Sequence, residues 1–105
     1  PARAIELNRE GAAFFEREEL GEAEARFALA LEYNPKFVEP RVNLGLVELR
    51  RGAFDRASVH LRKARSLNPD LPAPHHALGV MEERRLHFPK AEAHYEQALA
   101  VEASV

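Results

Sequence analysis

Cysteine is absent from the 105-residue chain, which removes disulfide frameworks, thiol nucleophiles and cysteine-ligated zinc ribbons at once. An excess of one charge is missing too. Fifteen basic against 17 acidic side chains give a formal net charge of -2, so there is no electrostatic footprint for nucleic acid or an anionic membrane surface. Apolar stretches run to only a few residues, too short to span a bilayer, and no basic leader with an apolar core opens the chain. The first residue, Pro1, points to a processed chain or to a piece cut from a larger protein. The five glycines are dispersed instead of gathered in a loop ahead of a helix, so no phosphate cradle is expected. What is present is an ordinary soluble balance, 46% apolar and 30% charged. That is remote from the signature of disorder and sufficient for one modest core.

The organising feature is an internal repeat. Gly11, Gly45 and Gly79 stand 34 residues apart, as do Ala23, Ala57 and Ala91, and Ala30, Ala64 and Ala98. In the same frame Leu20, Phe54 and Phe88 form one bulky apolar column, and Phe27, Leu61 and Tyr95 another. Pro35 and Pro69 complete the pattern, and the units run Ala4 to Phe37, Val38 to Leu71 and Pro72 to Val105. A period of this length marks an array in which no unit buries its apolar face alone, so neighbours must stack.

Within the middle unit, Pro40 suits the first turn of a helix, because its missing N–H would be unpaired there anyway. Val42, Leu44, Leu46, Val47 and Leu49 then occupy more than one face, which predicts a helix buried on two sides. Arg50 and Arg51 precede Gly52, a basic helix end followed by a residue free to adopt a left-handed conformation. After a turn at Gly52 to Phe54, a second helix carries Ala57, Leu61, Ala64 and Leu67 as far as Asn68, where the following Pro69 disfavours continuation. Asn34 and Pro35 end the first unit in the same way. The small-residue columns mark crossings where two helices approach closely.

These residues resemble the tetratricopeptide repeat (TPR), a 34-residue unit with Trp, Leu, Gly and Tyr in its first helix and Ala, Phe, Ala and Pro after it. Leu44 with Gly45, Leu78 with Gly79, both alanine columns, Phe27, Tyr95 and the two prolines match that signature. The departures are Leu7, Arg41 and His75 in place of tryptophan, Phe14, Glu48 and Glu82 in place of tyrosine, and Glu10 in place of leucine in the first unit. A polar residue there suits an outermost unit. The resemblance implies an all-α fold, a right-handed α-solenoid of three helix-turn-helix repeats filling one domain. It also implies a module that holds a protein or peptide, within a scaffold or assembly factor, and no enzyme. The alternatives are a spacer or oligomerisation segment of a longer array, or a regulatory module beside a catalytic domain.

Other chemistry is poorly supported. Adjacent His75 and His76 point about 100° apart on a helix and have no third ligand at i+4 spacing, so neither a metal nor a cofactor is expected. His60 and His94 share a repeat column and are expected to face solvent. Glu18 with Glu19, and Glu82 with Glu83, read as solvated turn or helix-face positions, because no nucleophile or oxyanion donors accompany them. Arg50 with Arg51 and Arg84 with Arg85 recur at the repeat period and could bind acidic groups, although charged helix ends need no function.

In proteins similar to this one, the first helices line a concave groove. The resemblance assigns to it Ile5, Asn8, Arg9, Ala12, Phe15 and Glu16 from the first unit, and Glu39, Val42, Asn43, Leu46, Leu49 and Arg50 from the second. The third contributes Ala73, His76, Ala77, Val80, Glu83 and Arg84. The surface is apolar at its centre, which suits an amphipathic helix or peptide. TPR domains that hold acidic chaperone tails use a clamp of two lysines, two asparagines and an arginine. Those positions here are Asn8, Ala12, Asn43, Ala73 and Ala77, of which only Asn43 matches. At the C-terminal end, Tyr95, Leu99 and Val101 form a seam for a following repeat or for a homodimer through the last helix. Twelve arginines against three lysines suggest a GC-rich bacterial genome, with cytoplasm and periplasm equally compatible.

Overall fold

The computed structural model describes residues 2–104, so Pro1 and Val105, the last residue of the third unit, lie outside the described residues. Six helices follow one another, α1 (Ala2–Glu16), α2 (Leu20–Tyr33), α3 (Val38–Arg50), α4 (Phe54–Leu67), α5 (Pro72–Arg84) and α6 (Phe88–Ala103). They pair as three antiparallel hairpins, α1 with α2, α3 with α4 and α5 with α6, and each hairpin stacks on the next through α2 on α3 and α4 on α5. The result is an all-helical solenoid of three units, 37 × 31 × 20 Å.

Each hairpin closes in one way. In the middle unit the Gly52 N–H donates to the Leu49 carbonyl at 3.0 Å and the Ala53 N–H to the Glu48 carbonyl at 2.9 Å. This is a Schellman closure, which requires a left-handed residue just past the helix end. Gly52 supplies it at φ 76. The same pair of bonds recurs at Glu18 and Glu19 and at Leu86 and His87. Between units, Asn34 and Asn68 end their helices in extended backbone. Their side-chain oxygens accept from the Lys36 N–H at 3.3 Å and the Asp70 N–H at 3.0 Å, so the residue before each proline turns the chain toward the next hairpin.

The glycine column lies where the two helices of a hairpin cross. A Cβ at Gly45 would fall 2.5 Å from Leu61 Cδ2, at Gly11 2.5 Å from Phe27 Cε1, and at Gly79 2.6 Å from Tyr95 Cε1. Contact of the bulky residue with bare backbone outweighs the roughly 1 kcal/mol of helix propensity that glycine costs. Phe27 and Ala23 meet Leu44 and Val47 at the first junction. At the second, Ala57, Leu61 and Ala64 meet Val42, Leu49, Leu78 and Met81. Helix α3 is thus buried on two sides, as its apolar distribution predicts.

Candidate functional site

The concave side is built by α1, α3 and α5. At the end formed by the C-terminal turns of these helices is a hollow of about 160 Å³ lined by Phe15, Leu46, Leu49, Arg50, Val80 and Arg84. Toward the other end lies a second hollow of about 150 Å³, lined by Val38, Glu39, Val42, Asn43, Leu71 and Ala73. Residues from three helices converge because the 34-residue period returns each column to the same face of successive first helices.

Of the expected groove residues, Ile5, Arg9, Ala12, Glu16, Glu39, Ala73, His76 and Glu83 are exposed, and Phe15, Asn43, Leu46 and Val80 are half-buried. Four depart from a ligand-facing reading. Val42, Leu49 and Ala77 belong to the core between the second and third units. Leu49 is only 3% exposed, so it forms the floor of the hollow and offers little surface to a partner. Asn8 is buried as well. Its amide donates to Glu39 Oε2 at 3.3 Å and its oxygen accepts from the Asn43 amide at 3.0 Å, which ties the first two units together.

Two of the three arginines along the groove, Arg50 and Arg84, already have partners. Arg50 pairs with Glu18 and lies 4.7 Å from the centre of the Phe15 ring. Arg84 Nη1 donates to the Leu49 carbonyl at 2.7 Å, capping the C-terminal end of α3. Both line the rim of the hollow with their charge already engaged.

Two sequence expectations change at the ionisable groups. Glu82 is buried, not solvated, with His87 Nδ1 at 3.2 Å and Arg85 at 3.8 Å. His60 and His94 are half-buried and do not simply face solvent. Burial, then Arg41 for His60 and Arg65 for His94, lowers both imidazoles below their ordinary range. Glu48, at the corresponding place to Glu82, accepts from Arg56 at 2.6 Å and Arg51 at 2.8 Å. Burial pushes its carboxyl up, but the hydrogen bonds and charges of Arg56 and Arg51 together outweigh that and hold it below the usual carboxylate range. Sequence reasoning missed this network, although Glu48 and Arg51 stand at the i,i+3 spacing that signals it.

His75 and His76 do not converge on a shared ligand position. The Nε2 of buried His75 lies 2.9 Å from the Pro69 carbonyl, which can only accept, so that nitrogen carries the proton. The His76 ring instead lies 5.4 Å from that of Tyr95. Among the described residues, no group of three His, Cys, Asp or Glu side chains is placed to hold a metal ion. Nor is any helix among them long and apolar enough to cross a membrane.

At the far end, Tyr95 packs its ring against Gly79 inside its own hairpin and donates its hydroxyl to Glu83 at 2.6 Å. Burial and the Glu83 carboxylate push the phenol up to about 12. Leu99 is 65% exposed on α6, and Val101 is half-buried.

No protein-family model and no curated protein matches the sequence. Solved structures do match its shape. The crystal structure of MamA superposes with a TM-score of 0.84 at 24% identity, over 96% of this chain and 59% of that one. This chain therefore spans about three-fifths of the MamA chain. The first TPR of Spaghetti (RPAP3) bound to the HSP90 peptide SRMEEVD gives a TM-score of 0.87 at 19% identity, over 99% and 82% of the two chains. The Sgt2 TPR domain from Aspergillus fumigatus gives 0.90 at 20%, over 98% and 68%. The chain has the tetratricopeptide-repeat fold, in three units.

Proposed function

We propose that the concave surface of α1, α3 and α5 holds an apolar peptide or an amphipathic helix of a partner protein, and that the chain serves as the interaction module of a scaffold or assembly factor. One observation carries this reading. Phe15, Leu46 and Val80, from three different helices and each half-buried, converge over the Leu49 floor in a single concavity. An open apolar hollow with a polar rim is the usual form of a site for a partner's apolar side chain. The rim is supplied by Arg50 and Arg84, held in place by Glu18 and by the end of α3. A domain of this fold bound to an HSP90 peptide supports peptide capture in general.

Leu46→Glu tests the proposal by placing a carboxylate in the hollow. Against a peptide selected on the wild-type domain from a display library, the substitution is expected to cost about 2 kcal/mol, roughly thirtyfold in Kd. Far-UV circular dichroism should stay at the wild-type value, because Leu46 lies at the edge of the core. Undiminished binding would support the spacer reading, in which the concave face stays empty.

A further inference from the structure

Every junction between units is made by a second helix that receives the first helix of the following unit. Phe27 and Ala23 of α2 receive Leu44 and Val47 of α3, and Leu61 and Ala57 of α4 receive Leu78 and Met81 of α5. The two arriving helices share one spacing, an apolar pair at i and i+3 with arginine at i+7: Leu44, Val47 and Arg51, then Leu78, Met81 and Arg85. At the first junction that arginine reaches back across the seam, with Arg51 pairing with Glu24 of α2 at 2.9 Å.

Helix α6 carries the receiving chemistry, yet among the described residues it packs only against its own hairpin partner, α5. Its outer side is a hollow of about 410 Å³ in which Phe88, Tyr95 and Leu99 make the apolar floor and Glu83, Glu92 and Glu96 stand around it. Phe88 is 58% and Leu99 65% exposed. Glu92 follows Glu24 by two periods of 34, so α6 repeats the carboxylate that Arg51 engages at the first junction.

We infer that the outer face of α6 is a second docking site, separate from the concave groove. It takes a basic amphipathic helix of a partner protein that presents an apolar pair at i and i+3 and arginine at i+7. Charge and pattern select this occupant over a second copy of the chain. Two copies meeting through this face would bring their Glu83, Glu92 and Glu96 carboxylates against one another with no cation among the residues lining the hollow, an arrangement that repels. Head-to-tail stacking fails for another reason. Helix α1 of a second copy would arrive with Glu10 and Ala13 where Leu44 and Val47 stand in α3, and so without the apolar pair. A helix built like α3 meets both demands, filling the floor and pairing with Glu92.

The probe is an end-blocked, fluorescein-labelled peptide of residues 38–51, which carries Leu44, Val47 and Arg51, titrated with the whole chain by anisotropy. Saturable binding is expected. Leu99→Lys in the protein should weaken it about tenfold or more, since an exposed apolar contact is replaced by a charge. Glu92→Lys should weaken it about threefold, the scale of one surface ion pair. Arg51→Glu in the peptide should restore affinity for the Glu92→Lys protein, a charge exchange that loss of fold cannot mimic. Leu46→Glu, in the groove, should leave peptide binding unchanged. Lack of saturation, indifference to both α6 substitutions, or loss of binding in the groove variant would each overturn the inference. So would a dimer in light scattering that Leu99→Lys dissolves, because a second copy would then occupy the face.

Discussion

Glu18, Gly52 and Leu86 hold the same place in the three units, and the backbone is left-handed at each, with φ of 60, 76 and 64. The Schellman closure sets this conformation, whatever the residue. A side chain with a Cβ pays about 1–2 kcal/mol to adopt it. Leu86 has little to offset that cost, being 71% exposed, whereas Glu18 at least pairs with Arg50. Leu86→Gly is therefore expected to raise the unfolding free energy by about 0.5–1 kcal/mol, the relief of strain being reduced by the looser unfolded chain. Gly52→Ala should lower it by about 1 kcal/mol. Urea titrations at unchanged m-value measure both, and a destabilised Leu86→Gly would show that the strain at this turn is already relieved by contacts of the leucine. Of the three positions only Gly52 was legible in the sequence. A glutamate or leucine bears no mark of the backbone angle it is made to adopt, and only alignment of 18 and 86 with Gly52 exposes it.

At the scale of a hairpin, α3 and α4 enclose an ionisable set whose protonation is tied to folding. Glu48, held below the carboxylate range by Arg56 and Arg51 against the upward push of burial, contributes stability above its unfolded pKa that is lost as pH falls through its folded value. His60 on α4 and His94 on α6 act in the same direction by another route. Burial lowers both below 6.5, so the unfolded chain takes up protons that the folded chain resists. Stability is then full above about pH 6.5 and declines as pH drops below it. The melting temperature should be level from about pH 8 to 7 and then fall in two stages, imidazoles first and carboxylates lower. Replacing both histidines with glutamine should remove the upper stage and leave the lower. An unaltered profile in the double variant would mean that neither histidine is desolvated in the folded chain. The helix bounds themselves were legible, because Asn34 before Pro35, Asn68 before Pro69 and Gly52 break the periodicity where the chain turns. Burial of Glu48 and Glu82 was not, since an acidic residue on a helix reads as solvated until the arginine or histidine that satisfies it is brought alongside by the hairpin.

Across the whole array, the columns that the resemblance assigned to the groove fall partly on the surface and partly in the core, a division the repeat period could not make. Helix α3 is buried toward both neighbours, and Val42 and Leu49 lie where the groove floor and the inter-unit seam meet, a distinction that helical spacing does not resolve. The exposure of Leu99 was legible in the sequence, while Glu92 emerges only when α6 is compared with α2. The same geometry decides how the array treats an acidic tail of the kind held by the RPAP3 domain, whose bound peptide is SRMEEVD. Binding such a tail requires cations, or amide donors free to meet carboxylates, along the groove. Here Asn8 is committed to Glu39 and Asn43, Ala12 and Ala73 have no polar side-chain atom to offer, and Ala77 is in the core. Glu39 adds a negative charge beside the would-be clamp, and Arg50 and Arg84 are engaged by Glu18 and the Leu49 carbonyl. A labelled SRMEEVD peptide titrated with the chain should therefore show no saturation up to about 1 mM, where the free energy gained is only about 4 kcal/mol. The peptide selected for the apolar hollow should bind in the same buffer, which separates a tail-specific failure from a misfolded sample. Low-micromolar binding of the acidic tail would require a cation within reach, either exposed Arg9 of α1 or an arginine released from its partner, and would return Asn8, Ala73 and Ala77 to the site.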